Sequence, residues 1–540
     1  MNQTPQEIYK EYTDGVNIKS SVGTKGIYEQ GRINERFYVG DQWHGAHCGN
    51  DRPLVRYNVI KRIGDYKMSH ILNGPVSVRF SADGVPQAVG KKGVKHLKEK
   101  MSSDPEFRFD GVPGTAEINT VLSALGDYRN VTAERVGFDA LCGKALRQAY
   151  ISGSSIIYTY WDDSIRSADF DEENKQTELC GDIKCEVLSI DNVYFGDPYL
   201  DNVESQPYII ITGFKDASEV KREAAAHGAD GAQLAAIGDG DANGKVLVLT
   251  KLYKEYKNNG ACTVHCVKVT ERAVIRKSYD TGLRMYPIAL FCWEERKNLI
   301  YGESEVTYLI PNQIAINRMI TANVWATVTM GMPMMVINGD TVTGDVTNDP
   351  GQIIKIFGSN EDVAGAVHYV TPPDFCGGFG ENINGLIENT LTQSGANEVA
   401  LGDTEPDNAT AIMTLQNAAV MPLNLVRNRF YAFVEQISRI WADFWITQYG
   451  RRHIRIEDEN GTWYMPFDAE RYGNLYLNAR VDVGAGNTYS SAESVAMLNT
   501  LIEKGIINKK QYLKRLPEGI VPDIEGLLLE TEEEKENDGV

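Results

Sequence analysis

Oxygen-bearing side chains at alternating positions form the clearest metal-binding pattern in this 540-residue chain. Asp239, Asp241 and Asn243 match the first half of a calcium-binding loop, in which such oxygens and a glycine wrap a hard cation. The twelfth position of that loop is normally a glutamate that binds with both oxygens, but this chain has Thr250 there. An acidic turn before a strand at Val246–Tyr256 is therefore the better interpretation, and no metal is expected.

Other clusters point to zinc or magnesium chemistry only weakly. No two cysteines have the C-x-x-C spacing of zinc sites. Asp162–Asp163 and the acidic run 169–173 resemble magnesium ligands of a nuclease, but a charge run after a strand is typical of a solvated loop. The residues considered for zinc are His44, His47, Cys48, Cys180, Cys185, Cys262, His265 and Cys266. The sequence thus predicts neither a metal nor another cofactor.

Catalytic motifs are also missing from the sequence. It contains no glycine-rich loop followed by Lys and Ser or Thr, which would hold nucleotide phosphates. It contains no Gly-x-Ser-x-Gly nucleophile elbow. We therefore expect that the protein is not an enzyme.

Composition restricts the class of protein further. The formal net charge is −20, which argues against holding nucleic acid by neutralising its phosphates but not against nucleic acid sliding past the protein. The eight cysteines have no framework spacing, so reduced thiols are expected. The segment Met1–Asp14 lacks a basic part followed by an apolar one, so no secretory signal is expected. We expect the protein to act or assemble inside a cell.

Residue periodicity predicts an α+β domain before the charge-poor stretch described below. Apolar positions three or four apart predict helices at Lys25–Tyr38, Tyr57–Leu72 and Glu117–Ser152. Alternating patterns with turn residues between them predict antiparallel strands that meander. These strands are predicted at Ser155–Trp161, Ile183–Ile190, Tyr208–Gly213, Val246–Tyr256, Cys262–Thr270, Ala273–Ser278 and Pro287–Trp293.

The stretch Val306–Gly339 contains a single charge, Arg318. It is compatible with a membrane span, a core helix, or a helix that packs sideways against copies of itself. Asn, Gln and Thr residues interrupt the apolar positions and Arg318 lies in the middle, which argues against a membrane span. Because the apolar side chains surround the whole helix, predicted at Glu303–Met330, we expect protein to bury it on several sides.

The rest of the chain predicts a small β module followed by helices. Short strands are predicted at Pro333–Asn338, Gln352–Phe357 and Ala366–Thr371, and a return helix at Phe379–Ser394. A polar, acidic loop follows at 395–408. Strict apolar spacing from Ile412 to Phe444 predicts one long helix, kinked near 418–422 by Pro422. The remaining predictions are a hairpin at Arg452–Met465, helices at Ser491–Lys504 and Lys509–Leu516, and an acidic tail at Glu530–Asp538.

This order of parts resembles the portal proteins, or head-to-tail connectors, of tailed double-stranded DNA bacteriophages. The resemblance runs from Phe37-Tyr38-Val39-Gly40-Asp41-Gln42-Trp43 through Tyr301-Gly302-Glu303-Ser304-Glu305 and the charge-poor helix to Asp407-Asn408-Ala409-Thr410-Ala411-Ile412. Many relatives have Ser-Gly before the Ala of the long helix, whereas this chain has Asp407-Asn408. The order and lengths of the parts carry the resemblance, since no single motif is as specific as a nucleotide-binding loop.

The resemblance implies a portal fold that assembles into a ring. The implied parts are a wing of N-terminal helices and antiparallel strands (1–300), a first stem helix (301–331), a β-containing clip (332–376), a second stem helix (377–394), a tunnel loop (395–408), a long kinked wing helix with a hairpin (409–470), and a helical C-terminal crown with an acidic tail (471–540).

The resemblance also implies a function and partners. Family members form rings of about twelve subunits at one capsid vertex, where the channel passes double-stranded DNA during packaging and ejection. The implied partners are other copies of the chain, the terminase large subunit, the major capsid and scaffold proteins, and the head-tail adaptor. The implied location is the portal vertex of the virion, and the host cytoplasm during assembly. No membrane partner is expected, and the packaging ATPase would be a separate chain.

Three groups of site residues follow from the resemblance. The tunnel-loop, DNA-facing candidates are Asn397, Glu398, Asp403, Glu405, Asp407 and Asn408; the stem or channel candidates are Gln313, Asn317, Arg318 and Asn323; the clip candidates for terminase and connector docking are Asn338, Asp340, Lys355 and Asp362. A stem helix between subunits should avoid charges, which would be desolvated without partners. Arg318 should therefore meet a carboxylate of a neighbouring subunit or the channel water.

Two other functions are compatible with the sequence. The first is a metal-dependent nucleic-acid hydrolase that uses the aspartate clusters, and the second is another structural component of a virion. Metal-dependent cleavage would support the first, and an assembly other than a ring would support the second.

Overall fold

The structure is a computed structural model that forms two compact units. The larger unit comprises Met1–Gly31, Lys67–Ser304 and Pro406–Val540, and the smaller unit comprises Arg32–Tyr66 and Glu305–Glu405. The structure describes residues 3–44, 54–72, 76–82, 114–171, 176–257, 260–330, 334–338, 340, 342–343, 355–356, 359, 367–370, 376–396, 421–458, 461–473, 475–482, 491–513 and 516. Helices and antiparallel strands are mixed along the chain, which confirms the predicted α+β class.

The described helices are mostly amphipathic and are numbered in chain order. They are α1 Pro5–Ser21, α2 Gly26–Val39, α3 Val59–Leu72, α4 Thr115–Val136, α5 Phe138–Ser152, α6 Ala217–Ala226, α7 Gly231–Ile237, α8 Glu305–Met330, α9 Cys376–Ser394, α10 Leu423–Gln448, α11 Ala469–Tyr472, α12 Ser491–Glu503 and α13 Lys509–Leu513. Within the described ranges, no helix combines the length and apolar character needed to cross a membrane.

The described strands pair antiparallel throughout. They are β1 Ser77–Ala82, β2 Ser154–Asp162, β3 Arg166–Asp171, β4 Gln176–Leu179, β5 Asp182–Ser189, β6 Val193–Phe195, β7 Tyr208–Asp216, β8 Lys245–Tyr256, β9 Cys262–Val269, β10 Val274–Asp280, β11 Ile288–Cys292, β12 Glu294–Arg296, β13 Leu299–Glu303, β14 Met334–Ile337, β15 Val342–Thr343, β16 Lys355–Ile356, β17 Val367–Val370, β18 Arg451–Asp458, β19 Gly461–Asp468 and β20 Leu477–Asp482.

A five-stranded sheet in the order β10-β9-β8-β7-β6 forms the largest sheet of the larger unit. It is a meander, as the sequence predicted. Alternate residues of a strand point to opposite faces, so Leu249 packs with Ile8 of α1 while Val248 packs with Val220 of α6. Helices therefore cover both faces of this sheet.

The three-stranded sheet β11-β2-β5 packs against the long helix α10. Phe291 of β11 meets Phe433 of α10 with ring centroids 5.6 Å apart. Trp441 and Trp445 of α10 are completely buried. The regular apolar spacing of this helix is explained by burial along most of its length.

The prediction of one helix over Glu117–Ser152 is wrong, because Gly137 separates α4 from α5. Its φ of +64° lies in the left-handed region that favours glycine, and its N–H donates to the carbonyl oxygens of Ala133 and Glu134. Apolar spacing continued across the break and concealed it.

The predicted start of the charge-poor helix at Glu303 is also wrong. Glu303 lies in β13, opposite Glu294 of β12, and its carboxylate accepts a 3.1 Å hydrogen bond from Nε of Arg296. The helix begins later, at Glu305. Residues 301–303 of the implied stem are therefore strand residues.

Pro422 lies at the start of α10, directly before Leu423. Its fixed φ and missing N–H suit a helix N-terminus. The predicted arm of this helix before Met421 lies outside the described residues, so the predicted kink remains a prediction.

Lys19 is completely buried in the larger unit, among aromatic rings. Its Nζ donates to the carbonyl oxygens of Ile190 and Asp191 and lies 3.8 Å from the centroid of the Tyr194 ring. Burial lowers the pKa of Lys19 to about 7 from 10.5, although the nearby Asp191 opposes this effect. At pH 8 the folded protein therefore releases a proton that the unfolded chain retains.

This lowered pKa predicts that the protein becomes more stable as the pH rises above 7. Between pH 7 and 10.5 the unfolded chain binds more protons at Lys19 than the folded chain, so the free energy of unfolding rises with pH. From pH 7 to 8.5 it should rise by about 1.5 kcal/mol more in the wild type than in Lys19→Met. Urea unfolding at fixed protein concentration measures this difference; equal slopes for the two proteins would contradict the prediction.

Candidate functional site

The charge-poor helix α8 lies beside the return helix α9 in the smaller unit. Asn312 Nδ2 donates to Thr390 Oγ1 over 3.3 Å where the two helices meet. Ile383 and Leu391 are buried together with Thr390, on the same face of α9. The charge-poor helix and the return helix are thus packed against each other.

The amide of Gln313 binds the N-terminus of another helix, α3. Its Oε1 accepts from the backbone N–H groups of Val59 at 2.9 Å and Ile60 at 3.4 Å. Both lie in the first turn of α3, where N–H groups have no acceptor within the helix. Its Nε2 donates to the carbonyl oxygen of Tyr57 at 2.6 Å and to Asn317 Oδ1 at 3.0 Å. Gln313 therefore caps α3 and uses all of its amide to do so.

Asn317 continues this amide network one helical turn further along. Its Oδ1 also accepts from the N–H of Tyr57 at 3.1 Å, and its Nδ2 donates to Gln42 Oε1 at 2.6 Å. Gln42 Nε2 in turn donates to the carbonyl oxygen of Phe37 at 2.9 Å. The network connects α8 to two segments that lie far earlier in the chain.

The structure gives Gln313 and Asn317 a role inside their own chain. Both side chains are buried, at 1% and 2% exposure, and their amides bind groups of their own chain. In this arrangement they hold the helix in its unit, and their place beside a channel stays a prediction. Asn323 is half-buried, and its carbonyl oxygen accepts a 2.9 Å hydrogen bond from Thr327 Oγ1.

One face of α8 remains open. Tyr308, Pro311, Arg318 and Ala322 are exposed, and their spacings of three, seven and four place them on one side of the helix. Pro311 lacks the N–H that would bind the preceding turn. Arg318 is on this exposed face. Its contact with channel water or with a carboxylate of a neighbouring subunit remains a prediction.

The C-terminal part of α8 has apolar side chains that its own chain does not bury. Every residue in 318–328 is exposed or half-buried. They include Met319, Ile320 and Val324, which are half-buried, and Val328, which is 66% exposed. An apolar helix surface of this kind is typical of a protein interaction site.

A cleft of about 350 Å³ lies beside the open face, within the smaller unit. Arg36 of α2 and Arg318 of α8 provide its two guanidinium groups. The complete lining is Ile33, Arg36, Phe37, Asp41, Gln42, Trp43, His44, Ile314, Asn317 and Arg318. The sequence patterns did not single out Arg36, Asp41 or Gln42 as site residues, although Asp41 and Gln42 lie in the segment Phe37–Trp43 on which the resemblance drew.

Three candidate clip residues, Asn338, Asp340 and Lys355, lie in or beside short two-stranded ribbons. Asn338 Oδ1 accepts from the N–H of Asp340 at 3.1 Å and shapes a turn between β14 and β15. Lys355 of β16 is exposed and lies opposite Thr343 of β15. Asp362 lies outside the described residues. A second ribbon pairs β14 with β17.

The return helix α9 ends at Ser394, as predicted. Gly395 has a φ of +78° and its N–H donates to the carbonyl oxygen of Thr392, while the N–H of Ala396 donates to that of Leu391. This is the Schellman arrangement that ends many helices. The candidate tunnel-loop residues Asn397, Glu398, Asp403, Glu405, Asp407 and Asn408 follow directly and lie outside the described residues.

The aspartates considered for metal binding have local partners. Asp241 Oδ1 accepts from the N–H groups of Asn243 and Lys245, both at 2.9 Å, and these hydrogen bonds lower the pKa of Asp241. Asp239 is exposed and pairs with Lys221 Nζ at 2.8 Å. Asp162 pairs with Lys184 and Ser164. Among the residues for which side chains are described, no three His, Cys, Asp or Glu residues lie close enough to hold a metal ion.

No known family model matches the chain, and no curated protein matches its sequence.

Proposed function

We propose that this protein is a bacteriophage portal protein, a structural component and not an enzyme. About twelve copies form a ring at one capsid vertex, through which double-stranded DNA enters and leaves. The observation that carries the proposal is the surface of α8. It is a 26-residue helix with a single cation near its middle and an apolar C-terminal part that its own chain leaves exposed or half-buried.

A ring accounts for these properties of α8. In a closed ring each subunit meets a neighbour on both sides, so a helix in the contact zone is apolar on several faces. Charges there would lose their hydration without gaining partners. The amides of Gln313 and Asn317 fit this environment, because they are satisfied within the subunit before assembly.

The remaining parts receive roles that follow from the resemblance. The strands β14–β17 belong to the clip, which docks the terminase large subunit and later the head-tail adaptor. The acidic loop 395–408 faces the DNA. An acidic surface repels phosphates, so DNA would slide past with few adhesive contacts. Capsid and scaffold proteins would meet the assembled ring at the vertex.

Sedimentation and DNA-cleavage assays test this proposal against a hydrolase. A portal should sediment as a closed particle of about twelve times the 60.0 kDa chain mass. It should leave linear and supercoiled DNA intact with Mg²⁺ or Mn²⁺. A monomer that cleaves DNA only with added metal would overturn the proposal in favour of the hydrolase.

Neutralising the acidic loop is expected to change DNA packaging or retention. The test variant carries Glu398→Gln, Asp403→Asn, Glu405→Gln and Asp407→Asn. Removing four negative charges per subunit, repeated around the ring, would weaken the repulsion of DNA phosphates. Phage particles carrying this variant should differ from wild type in the amount of DNA packaged or in its retention.

A matched control removes four exposed carboxylates elsewhere. It carries Asp201→Asn, Asp239→Asn, Glu219→Gln and Glu271→Gln, all in the larger unit. Its packaging and retention should equal those of the wild type. If the loop variant also behaves like wild type, the loop does not act on DNA.

A further inference from the structure

Two of the charged surfaces on the smaller unit have opposite sign. The first is the cleft between α2 and α8, which we call the arginine cleft and which contains Arg36 and Arg318. The second is the outer face of α9, which we call the glutamate face and which carries Glu381 and Glu388. All four side chains are exposed, and none of them pairs with a described residue.

The arginine cleft has two uncommitted cations and few other free polar groups. Trp43 Nε1 donates to the carbonyl oxygen of Val55 at 3.0 Å, and the amides of Gln42 and Asn317 bind each other. The carboxylate of Asp41 also lies in this cleft, with its Oδ2 3.5 Å from His44 Nδ1. The apolar side chains in the lining are Ile33, Phe37 and Ile314. Such a cleft suits a carboxylate carried on an apolar or helical surface.

The glutamate face points away from α8. Thr390 contacts α8, and Ile383 and Leu391 are buried on that side of α9. Glu381 and Glu388 are two helical turns apart, on the opposite side of the helix and about 10 Å from each other along its axis. In the smaller unit, α8 thus has two different neighbours. The arginine cleft lies between α8 and α2, and α9 packs on α8 with its two glutamates on the side turned away from α8.

This arrangement favours a second copy of the same chain as the occupant of the cleft. The arginines and glutamates cannot meet within one unit, because α9 packs on α8 with the glutamates turned outward. A neighbouring copy placed head to tail can bring its glutamate face to the cleft, and repeating that contact produces a ring if the rotation closes. The half-buried Ile320 and Val324 and the exposed Val328 of α8 provide apolar area for the same contact.

We propose that Arg36 and Arg318 of each subunit bind Glu381 and Glu388 of its neighbour, and that this contact sets the register of the ring. This inference rests on the proposed ring. Opposite charges on two surfaces orient partners and suppress wrong alignments, which is where charged pairs contribute most to association. The single charge in the middle of α8 is thereby explained as half of an intersubunit pair.

Charge reversal on each surface, followed by mixing, tests the pairing. The cleft variant is Arg36→Glu with Arg318→Glu, and the face variant is Glu381→Arg with Glu388→Arg. Each alone should place like charges opposite each other and raise the concentration needed for half-assembly at least about tenfold. In an equimolar mixture every contact between unlike subunits joins opposite charges, because an acidic cleft meets a basic face or a basic cleft meets an acidic face. Assembly should therefore recover towards the wild-type concentration.

The mixture distinguishes lost pairing from lost folding, since a misfolded variant would not be rescued by its partner. A fourfold variant combines all four charge reversals in one chain. It restores opposite charges at every contact and should assemble like wild type. Control reversals Glu219→Arg and Glu271→Arg, on exposed positions of the larger unit, should leave assembly unchanged. Sedimentation at one salt concentration measures the degree of assembly of every sample.

Three possible results show whether the proposed pairing fails or the proposed ring itself fails. If the cleft and face variants both assemble like wild type, the pairing is overturned while the ring stands. The same conclusion follows if neither the mixture nor the fourfold variant recovers assembly. If wild-type protein forms no ring, the proposed function itself fails.

Discussion

Asp182→Asn is expected to lower the free energy of unfolding by about 2 to 3 kcal/mol, because it removes the charge of a fully buried carboxylate that binds three groups of its own chain. Asp182 has 0% side-chain exposure and pairs with the guanidinium of Arg135 in the larger unit. Its Oδ1 also accepts from Tyr449 Oη at 2.6 Å and from the N–H of Ile183 at 2.7 Å. Asparagine preserves the shape but not the charge of this centre.

The effect extends through a chain of hydrogen bonds. Tyr449 Oη lies 2.9 Å from Tyr128 Oη, so the carboxylate orients two buried phenols at once. Urea unfolding at fixed protein concentration measures the loss. The matched control is Asp239→Asn, whose side chain is fully exposed and whose replacement should leave stability almost unchanged. A loss below about 1 kcal/mol for Asp182→Asn would show that the network contributes little.

Gln313→Leu is expected to destabilise the smaller unit by about 2 to 4 kcal/mol. Leucine has a similar volume but cannot pair with the N–H of Val59, the carbonyl oxygen of Tyr57 or the Oδ1 of Asn317. Each buried polar group left without a partner costs about 1 to 3 kcal/mol, and relaxation recovers part of that. The N-terminus of α3 should open first.

Hydrogen exchange locates this loss as well as measuring it. The amides of Val59 and Ile60 should exchange faster in Gln313→Leu, while amides in the sheet of the larger unit should not change. Gln393→Leu is the matched control, because Gln393 is an exposed glutamine on α9. Unchanged protection at Val59 and Ile60 would show that Gln313 does not cap α3.

Local sequence patterns predicted the elements whose start, end and type are determined by neighbouring residues. Strands β7, β8 and β9 are rich in β-branched and apolar residues and lie between turns, so their positions agree with the sequence prediction to within a few residues. Helix α1 was missed although Thr4 and Glu7 form a capping box, a signal readable in the sequence. The pairing of β1 with β20 joins strands that lie far apart in the chain, and no local pattern specifies such a partner.

In the candidate site, too, the sequence marked individual residues but did not predict their distant partners. The unusual composition of α8 marked Gln313, Asn317 and Arg318 as special, since polar residues in an apolar helix need a reason. Their partners did not follow, because Gln42 and Tyr57 lie far earlier in the chain and only the fold brings them together. Arg36 carries no sequence signal of its own and becomes notable only as the second cation of the arginine cleft.

An electron microscopy image of the purified full-length protein tests the proposed ring most directly. We expect rings of about twelve subunits with an open central channel, in which the charge-poor helix Glu305–Met330 lies between adjacent subunits. Monomers, or an assembly without a central channel, would contradict the proposal.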